Sequence, residues 1–295
     1  MLAGFSFSKI VIIESLSPNE FNSAKMLAGY IHSQIEDSGV HIDVQLIHCE
    51  SACEFSTILS KSTEAALNSN DWPIIHIECH GSPDSGIEFS NGSELSWQEV
   101  ANYFVELNRA TRFNLLTVFA TCFGYHFVGK ISAIEPSPCW CTIGPSEEVL
   151  PDEIARGFMT FYRNLIKTKE VSVAVTVLEA ENLQQGSWKI QTAEIWYQKV
   201  IHEYIHEYCT LSQTTRRAKL FRKELRNQGK KKTLPEVEAM VRKISTEGLV
   251  TKYFDRFFMI DEVPEGNNRF EHVRQRITKM IRKLKATGKF GLTNI

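Results

Sequence analysis

The sequence lacks both a membrane-spanning segment and a secretion signal. No run approaches the roughly 20 consecutive apolar residues that cross a bilayer. The N-terminal stretch has no basic leader, and Ser8, Lys9 and Glu14 interrupt or close its apolar run, which predicts a first strand instead. We therefore expect a cytoplasmic protein with no membrane partner.

Paired cysteine motifs are missing as well. The chain has seven cysteines, and no two of them have the Cys-x-x-Cys spacing that is usual in zinc sites. An odd number of cysteines without a signal peptide indicates reduced thiols in the cytosol. We expect no metal ion and no other cofactor.

The chain has no internal repeat and no composition typical of disordered or fibrous proteins. With 295 residues, of which 43% are hydrophobic, it can form one large domain plus a smaller one. The net charge of −2 conceals an asymmetry. Residues 1–199 carry 12 Lys or Arg and 24 Asp or Glu, whereas residues 200–295 carry 21 and 11, so the balances are −12 and +10. The two parts therefore have different roles.

Strand-like apolar runs alternate with amphipathic helical patterns over residues 1–185. This alternation predicts an α/β fold with a mainly parallel sheet sandwiched by helices. Residues 186–295 are predicted to form a mostly helical, basic accessory region. Within it, residues 191–228 contain no glycine or proline, which predicts one long helix.

Two of the apolar runs end in reactive side chains. WPIIHIECHG, residues 72–81, ends at His80 and Gly81, and FNLLTVFATCFG, residues 113–124, reaches Cys122 before Gly124. Ligands and catalytic groups gather at the carboxyl edge of open α/β sheets. Two neighbouring strands with these ends would bring an acid/base and a nucleophile together.

A thiol that cleaves an amide needs a thiolate, a proton for the leaving nitrogen and donors for the oxyanion. Cys122 precedes a helix predicted over residues 124–134, whose field would favour the thiolate. His80 can supply the proton. The backbone N–H groups of Gly81 and Cys122 can serve as the oxyanion donors, because glycine allows the substrate to approach closely.

This pattern resembles the caspase-like cysteine peptidases (clan CD). The motifs that carry the resemblance are IIHIECHG, residues 74–81, and LLTVFATCFG, residues 115–124. The segments of residues 85–104 and 151–166 look most like bacterial CHAT-domain peptidases. The resemblance covers residues 8–185 and implies a cysteine-type endopeptidase with a Cys122–His80 dyad, a protein substrate and no cofactor. Such peptidases often act as triggered effectors, for example in antiviral defence.

The chain departs from this family beside the nucleophile. Many CHAT domains have a small Ser/Gly pair after the cysteine, whereas this chain has Phe123, whose bulk would alter the substrate pocket. In the family, the loop after the next strand often recognises the side chain before the cut. Here that loop carries Glu147, Glu148 and Asp152, which would favour Arg or Lys in the substrate. The alternative is that these are ordinary first-turn acids of a helix.

An alternative function is a catalytically inactive, peptidase-like scaffold whose basic helical region binds a partner. For that region, a regulatory partner protein or an intramolecular surface is favoured slightly over nucleic acid. A solvated helical face is the simplest alternative. We expect Cys122→Ala to separate the peptidase from the scaffold.

Overall fold

A computed structural model of the chain describes residues 5–263 and 266–294. The chain forms two compact units. The first comprises the described residues up to Ile131 together with Ser137–Thr192, and the second comprises Ser132–Pro136 and the described residues from Ala193 onward. The predicted boundary between residues 185 and 186 is therefore wrong by seven residues, because the strand Trp188–Thr192 belongs to the sheet of the first unit.

The first unit contains the following elements: β1 (Lys9–Glu14), α1 (Ser23–Ser38), β2 (Asp43–His48), α2 (Ala52–Ser69), β3 (Pro73–Glu78), β4 (His80–Ser82), β5 (Gly86–Glu88), β6 (Glu94–Leu95), α3 (Trp97–Ala110), β7 (Leu116–Phe119), β8 (Cys141–Pro145), α4 (Pro151–Thr168), α5 (Val171–Glu179) and β9 (Trp188–Thr192). The main sheet has the strand order β2-β1-β3-β7-β8-β9. The first five strands are parallel, and β9 runs antiparallel to β8. The predicted α/β fold with a mainly parallel sheet is confirmed.

Helices cover both faces of this sheet. Because successive strand residues point to opposite faces, His76 and Ile77 of β3 face different layers. On one face, the Nδ1 atom of His76 lies 3.2 Å from the hydroxyl of Tyr162 in α4. On the other, Phe119, the partner of Ile77 in β7, has its ring 6.1 Å from that of Phe104 in α3. The strands β3 and β7 are buried along their whole length, as expected for a sheet enclosed on both sides.

A second, small sheet follows the tip of β3. It has the order β4-β5-β6 with antiparallel pairing. The turn between β5 and β6 closes at Asn91 and Gly92: the Gly92 N–H donates to the Phe89 carbonyl at 2.8 Å, and Gly92 has a φ of 81°. His80 is the first residue of this small sheet, so the hairpin fixes the backbone that carries the imidazole.

The second unit is helical, with α6 (Ala193–Tyr208), α7 (Leu211–Asn227), α8 (Leu234–Gly248), α9 (Lys252–Phe257) and α10 (Gly266–Ala286). The single long helix predicted over residues 191–228 is wrong, since the chain breaks between α6 and α7. Thr210 caps α7 by accepting the Gln213 N–H at 3.3 Å. The Gly291 N–H donates to the Cys209 carbonyl at 2.7 Å, so the C-terminal segment satisfies the backbone at the break.

None of the helices described combines the length and the apolar character that crossing a membrane requires.

Candidate active site

The ends of β3 and β7 lie side by side. Ile77 is the register partner of Phe119, and the Ala120 N–H donates to the Ile77 carbonyl at 2.8 Å. His80 lies three residues after Ile77, and Cys122 lies three residues after Phe119. The backbone of Gly81 packs directly on the second tip, because a Cβ at this position would collide with the Thr121 hydroxyl and the Cys122 carbonyl oxygen. The structure therefore brings together the two strand ends that the sequence singles out.

Cys122 sits in a tight turn. The Gly124 N–H donates to the Thr121 carbonyl at 3.1 Å, and Phe123 has a left-handed φ of 58°. A residue with a side chain costs about 1–2 kcal/mol in this conformation. The Phe123 N–H donates to the Glu147 carbonyl at 3.1 Å, which helps to hold the turn.

The thiol of Cys122 is half-buried, and its Sγ lies 3.8 Å from the Val149 carbonyl oxygen. The Cys122 backbone N–H has no hydrogen-bond acceptor among the described residues, so it remains available to an incoming oxyanion. The oxyanion role of the Cys122 amide stays a prediction.

The segment after Cys122 differs from the prediction. A seven-residue 3₁₀-helix, Gly124–Lys130, replaces the α-helix expected over residues 124–134. Gly124 packs closely on the preceding strand, since a Cβ there would lie 2.6 Å from the Phe119 Cβ. The helix predicted to follow Cys122 is therefore present, but it is shorter than predicted and of the 3₁₀ type.

His80 has a charged partner that the sequence analysis missed. Its Nε2 lies 2.7 Å from Oε1 of Glu20, in the loop between β1 and α1. Both groups reach solvent, with 61% of the His80 side chain and 33% of the Glu20 side chain exposed. The Nδ1 atom of His80 has no hydrogen-bond partner in the part of the chain that the structure describes.

Glu20 is itself fixed in place. The Ser17 N–H donates to its second carboxylate oxygen at 2.6 Å, and this bond, followed by the contact with His80, lowers the pKa of Glu20. Residues 17–20 precede α1, which begins at Ser23 with Asn22 as its cap. The parallel pairing of β1 with β3 places the residues that follow these two strands at the same edge of the sheet. This pairing could have indicated that Glu20 lies near His80.

A cavity of about 230 Å³ opens at Cys122, and Gly81 and Phe123 also line it. Its other lining residues come from the loop before α4 and from the segment before β9: Glu148, Val149, Leu150, Glu153, Gln184 and Gln185. The thiol therefore faces a concave surface, as a nucleophile for a bound peptide requires.

The structure separates the three acids predicted to bind substrate. Glu148 is exposed and lines the cavity. Glu147 does not line it; its side chain lies against Gly186. Asp152 lines a different groove, between α1 and α4, and lies 3.9 Å from Arg156. Of the three predicted residues, Glu148 alone lines the cavity at Cys122.

Glu153 is a second acid of this cavity that the sequence analysis did not single out. It is buried, and its two carboxylate oxygens accept the Leu150 N–H at 3.1 Å and the Gln184 N–H at 2.7 Å. These bonds tie the two loops of the cavity wall together. Its role in the site is therefore to shape the cavity.

All seven cysteines are free thiols. Cys79, adjacent to His80, is buried, and this burial raises its pKa. Cys139 and Cys141 lie in the core, and burial raises the pKa of Cys139 to about 12. Among the described residues, no group of three or more His, Cys, Asp or Glu side chains is arranged to hold a metal ion.

No family model matches the chain, and no curated protein matches it.

Proposed function

We propose that the protein is a cysteine endopeptidase in which Cys122 is the nucleophile, His80 the proton donor and Glu20 the residue that positions His80. One observation carries this proposal: Gly81 packs on Thr121 and Cys122, so that both strand ends meet beside one cavity. The residue pattern shared with caspase-like peptidases supports the same reaction.

The proposed reaction begins when the Cys122 thiolate attacks the peptide carbonyl carbon. The N–H groups of Cys122 and Gly81 hold the negative oxygen of the tetrahedral intermediate. Because Nε2 of His80 is bonded to Glu20, Nδ1 protonates the leaving amine as the C–N bond breaks. Neutral His80 then deprotonates a water molecule, which attacks the thioester carbonyl. The C–S bond breaks, the acid product leaves, and the Cys122 thiolate and the protonated His80 are regenerated.

The substrate is a protein segment with Arg or Lys before the cut. Glu148 supports this preference, since it is the exposed carboxylate that lines the cavity. The buried carboxylate of Glu153 is already engaged by two backbone N–H groups. The chemistry requires no cofactor, because the thiol, the imidazole and the amides supply every proton and charge that it needs.

We place this peptidase in the cytosol, where seven free thiols persist. By analogy with the CHAT-domain peptidases, it is a triggered effector whose second unit receives the trigger.

A peptidyl acyloxymethyl ketone with Arg next to the warhead tests the proposal directly. We expect it to modify Cys122, as mapped by mass spectrometry, and Cys122→Ala to abolish both labelling and peptide cleavage. Cys53→Ala is the matched control, because Cys53 is an exposed thiol on α2. Cleavage that survives in Cys122→Ala would refute the mechanism and favour a peptidase-like scaffold.

A further inference from the structure

A dense cationic surface lies on the hairpin that α7 and α8 form in the second unit. Residues 216–232 carry nine basic side chains and one acidic one, Glu224. The nine are Arg216, Arg217, Lys219, Arg222, Lys223, Arg226, Lys230, Lys231 and Lys232. We call this set the basic hairpin. The two helices pack through an apolar cluster of Ala218, Leu225, Val237 and Val241, so the cations occupy the surface outside that contact.

These cations lie outside the close ion pairs in the described part of their own unit. None of the nine forms an ion pair with a carboxylate among the residues of the second unit that the structure describes. Basic residues nearby behave differently: Arg274 lies 2.8 Å from Asp255, and Arg242 lies 4.0 Å from Glu238. Seven of the nine are exposed. Such a field attracts an external polyanion.

The basic hairpin contains a preformed concave site. A cleft of about 550 Å³ at the turn between the helices is lined by four cations, Arg222, Arg226, Lys231 and Lys232, and by one carboxylate, Glu236, whose Oε2 accepts from the N–H and the hydroxyl of Thr233. The Nε of Arg222 donates to the Lys232 carbonyl at 3.0 Å, which fixes the guanidinium plane. Its terminal nitrogens have no acceptor among the described residues. A fixed guanidinium with free N–H groups suits a phosphate oxygen pair.

We propose that the basic hairpin binds the phosphate backbone of duplex nucleic acid. The α7 cations from Arg216 to Arg226 extend over about 15 Å, at about 1.5 Å per residue, which exceeds the reach of one phosphate. Phe221, the aromatic residue within residues 216–232, packs against the apolar cluster. Because Phe221 is engaged in this packing, residues 216–232 themselves offer no free ring on which unpaired bases could stack, which favours contacts to a duplex backbone over binding to single strands.

The test is fluorescence anisotropy with the full chain and a short labelled DNA duplex, repeated with the RNA duplex of the same sequence. If four phosphates are contacted, the logarithm of the affinity falls with the logarithm of salt concentration with a slope of about −3.6. Affinity then drops about 100-fold between about 50 and 200 mM salt. Tight binding of one duplex but not the other identifies whether DNA or RNA is the ligand.

The variant R222Q/R226Q/K231Q/K232Q should weaken binding at least tenfold and flatten the salt slope. The matched control K25Q/K61Q/K130Q/K167Q removes four exposed positive charges from the first unit and should leave binding unchanged. Circular dichroism and thermal unfolding verify that both variants fold. Absence of binding at low salt, equal loss in both variants, or preferential binding of poly-L-glutamate would overturn the proposal; the last outcome would indicate an acidic protein partner.

Discussion

The Nε2 atom of His80 lies 2.7 Å from the Oε1 atom of Glu20, although 60 positions separate the two residues in the sequence. Because that contact occupies one ring nitrogen, it sets the orientation and the tautomer of the imidazole. Nδ1 is left for proton transfer. The loop after β1 thus completes a site whose other parts follow β3 and β7.

Glu20→Gln tests this positioning. Loss of the carboxylate charge should lower kcat about 10- to 100-fold, the usual effect of removing a group that orients a functional histidine. KM should change little, because Glu20 does not line the cavity at Cys122. The melting temperature should stay within error, since an exposed ion pair contributes about 0–1 kcal/mol. Steady-state kinetics measure the first two effects.

The control is Glu106→Gln, which removes another exposed ion pair, with Arg109 of α3. It should leave kcat unchanged. Equal rates for Glu20→Gln and wild type would show that the contact with His80 has no catalytic role.

Gly81→Ala should separate the two strand ends. The new Cβ would overlap the Thr121 hydroxyl and the Cys122 carbonyl oxygen. Overpacking of this kind costs about 1–3 kcal/mol, and a displacement of about 1 Å at a reacting group costs about 100-fold in rate. Urea denaturation and peptide cleavage measure the two losses.

Gly29→Ala is the matched control. Gly29 lies in α1, and a Cβ added at this position would meet no atom of the described residues within 4 Å, apart from its chain neighbours and the surrounding helix backbone. Alanine should stabilise that helix by about 0.5–1 kcal/mol. A Gly81→Ala variant with wild-type activity would contradict the close packing of the strand ends.

We expect substitutions of Glu148 and of Asp152 to differ in their effect on cleavage, because Glu148 alone of the two lines the cavity at Cys122. Glu148→Gln should reduce kcat/KM for Arg substrates about tenfold or more, because it removes a charged hydrogen-bond acceptor from the cavity. Asp152→Asn should have no effect, since Asp152 lines the groove between α1 and α4. Substrates with Arg, Lys and Leu before the cut measure the preference. Equal effects of both substitutions would refute the assignment of Glu148.

Buried thiols predict how stability depends on pH. Burial raises the pKa of Cys139 to about 12, above its ordinary value of 9.0. A raised folded-state pKa stabilises the neutral thiol, so the stabilisation is complete below about pH 8.5, the usual range for an unfolded thiol. Above it, the free energy of unfolding should fall by up to about 1.4 kcal/mol per pH unit until the folded pKa is passed.

Cys139→Ala should remove this part of the slope between about pH 9 and 11. Cys53→Ala should leave the slope unchanged, because Cys53 is exposed. Urea denaturation under reducing conditions provides the measurement. Parallel slopes for wild type and Cys139→Ala would contradict the assignment.

Strands β1, β3 and β7 could be predicted because each belongs to a mainly apolar run that ends at a polar or small residue. Strand β9 was missed for the opposite reason. Its sequence, WKIQT, mixes polar and apolar residues, as suits an antiparallel edge strand. The break at Thr210 was missed because the pairing that stabilises it comes from Gly291 and its neighbours, about 80 residues later.

Some residues of the candidate site could likewise be predicted from the sequence, whereas others could not. His80, Gly81 and Cys122 follow strands that pair with each other, so the order of elements predicted their proximity. Glu20 belongs to a loop whose conformation depends on a turn closed by Ser17, and sequence spacing does not reveal which side chain that loop aims at His80. The sequence did not show that Glu148 lines the cavity and Asp152 does not, because Glu148 lies just before α4 and Asp152 lies in its first turn.

In the proposed peptidase, the left-handed turn at Phe123 couples the nucleophile to the loop that forms the cavity wall. One backbone hydrogen bond, from the Phe123 N–H to the Glu147 carbonyl, ties the residue after Cys122 to the residue that precedes the cavity-lining Glu148. A bulky substrate side chain that pushes the segment of Glu147 and Glu148 outward must lengthen the hydrogen bond between Phe123 and Glu147. Without this bond, Phe123 would leave the left-handed conformation, which phenylalanine does not favour by itself. On the proposed mechanism, an oversized substrate residue would therefore displace the Cys122 sulfur, and we expect such a substrate to bind but to be cleaved slowly.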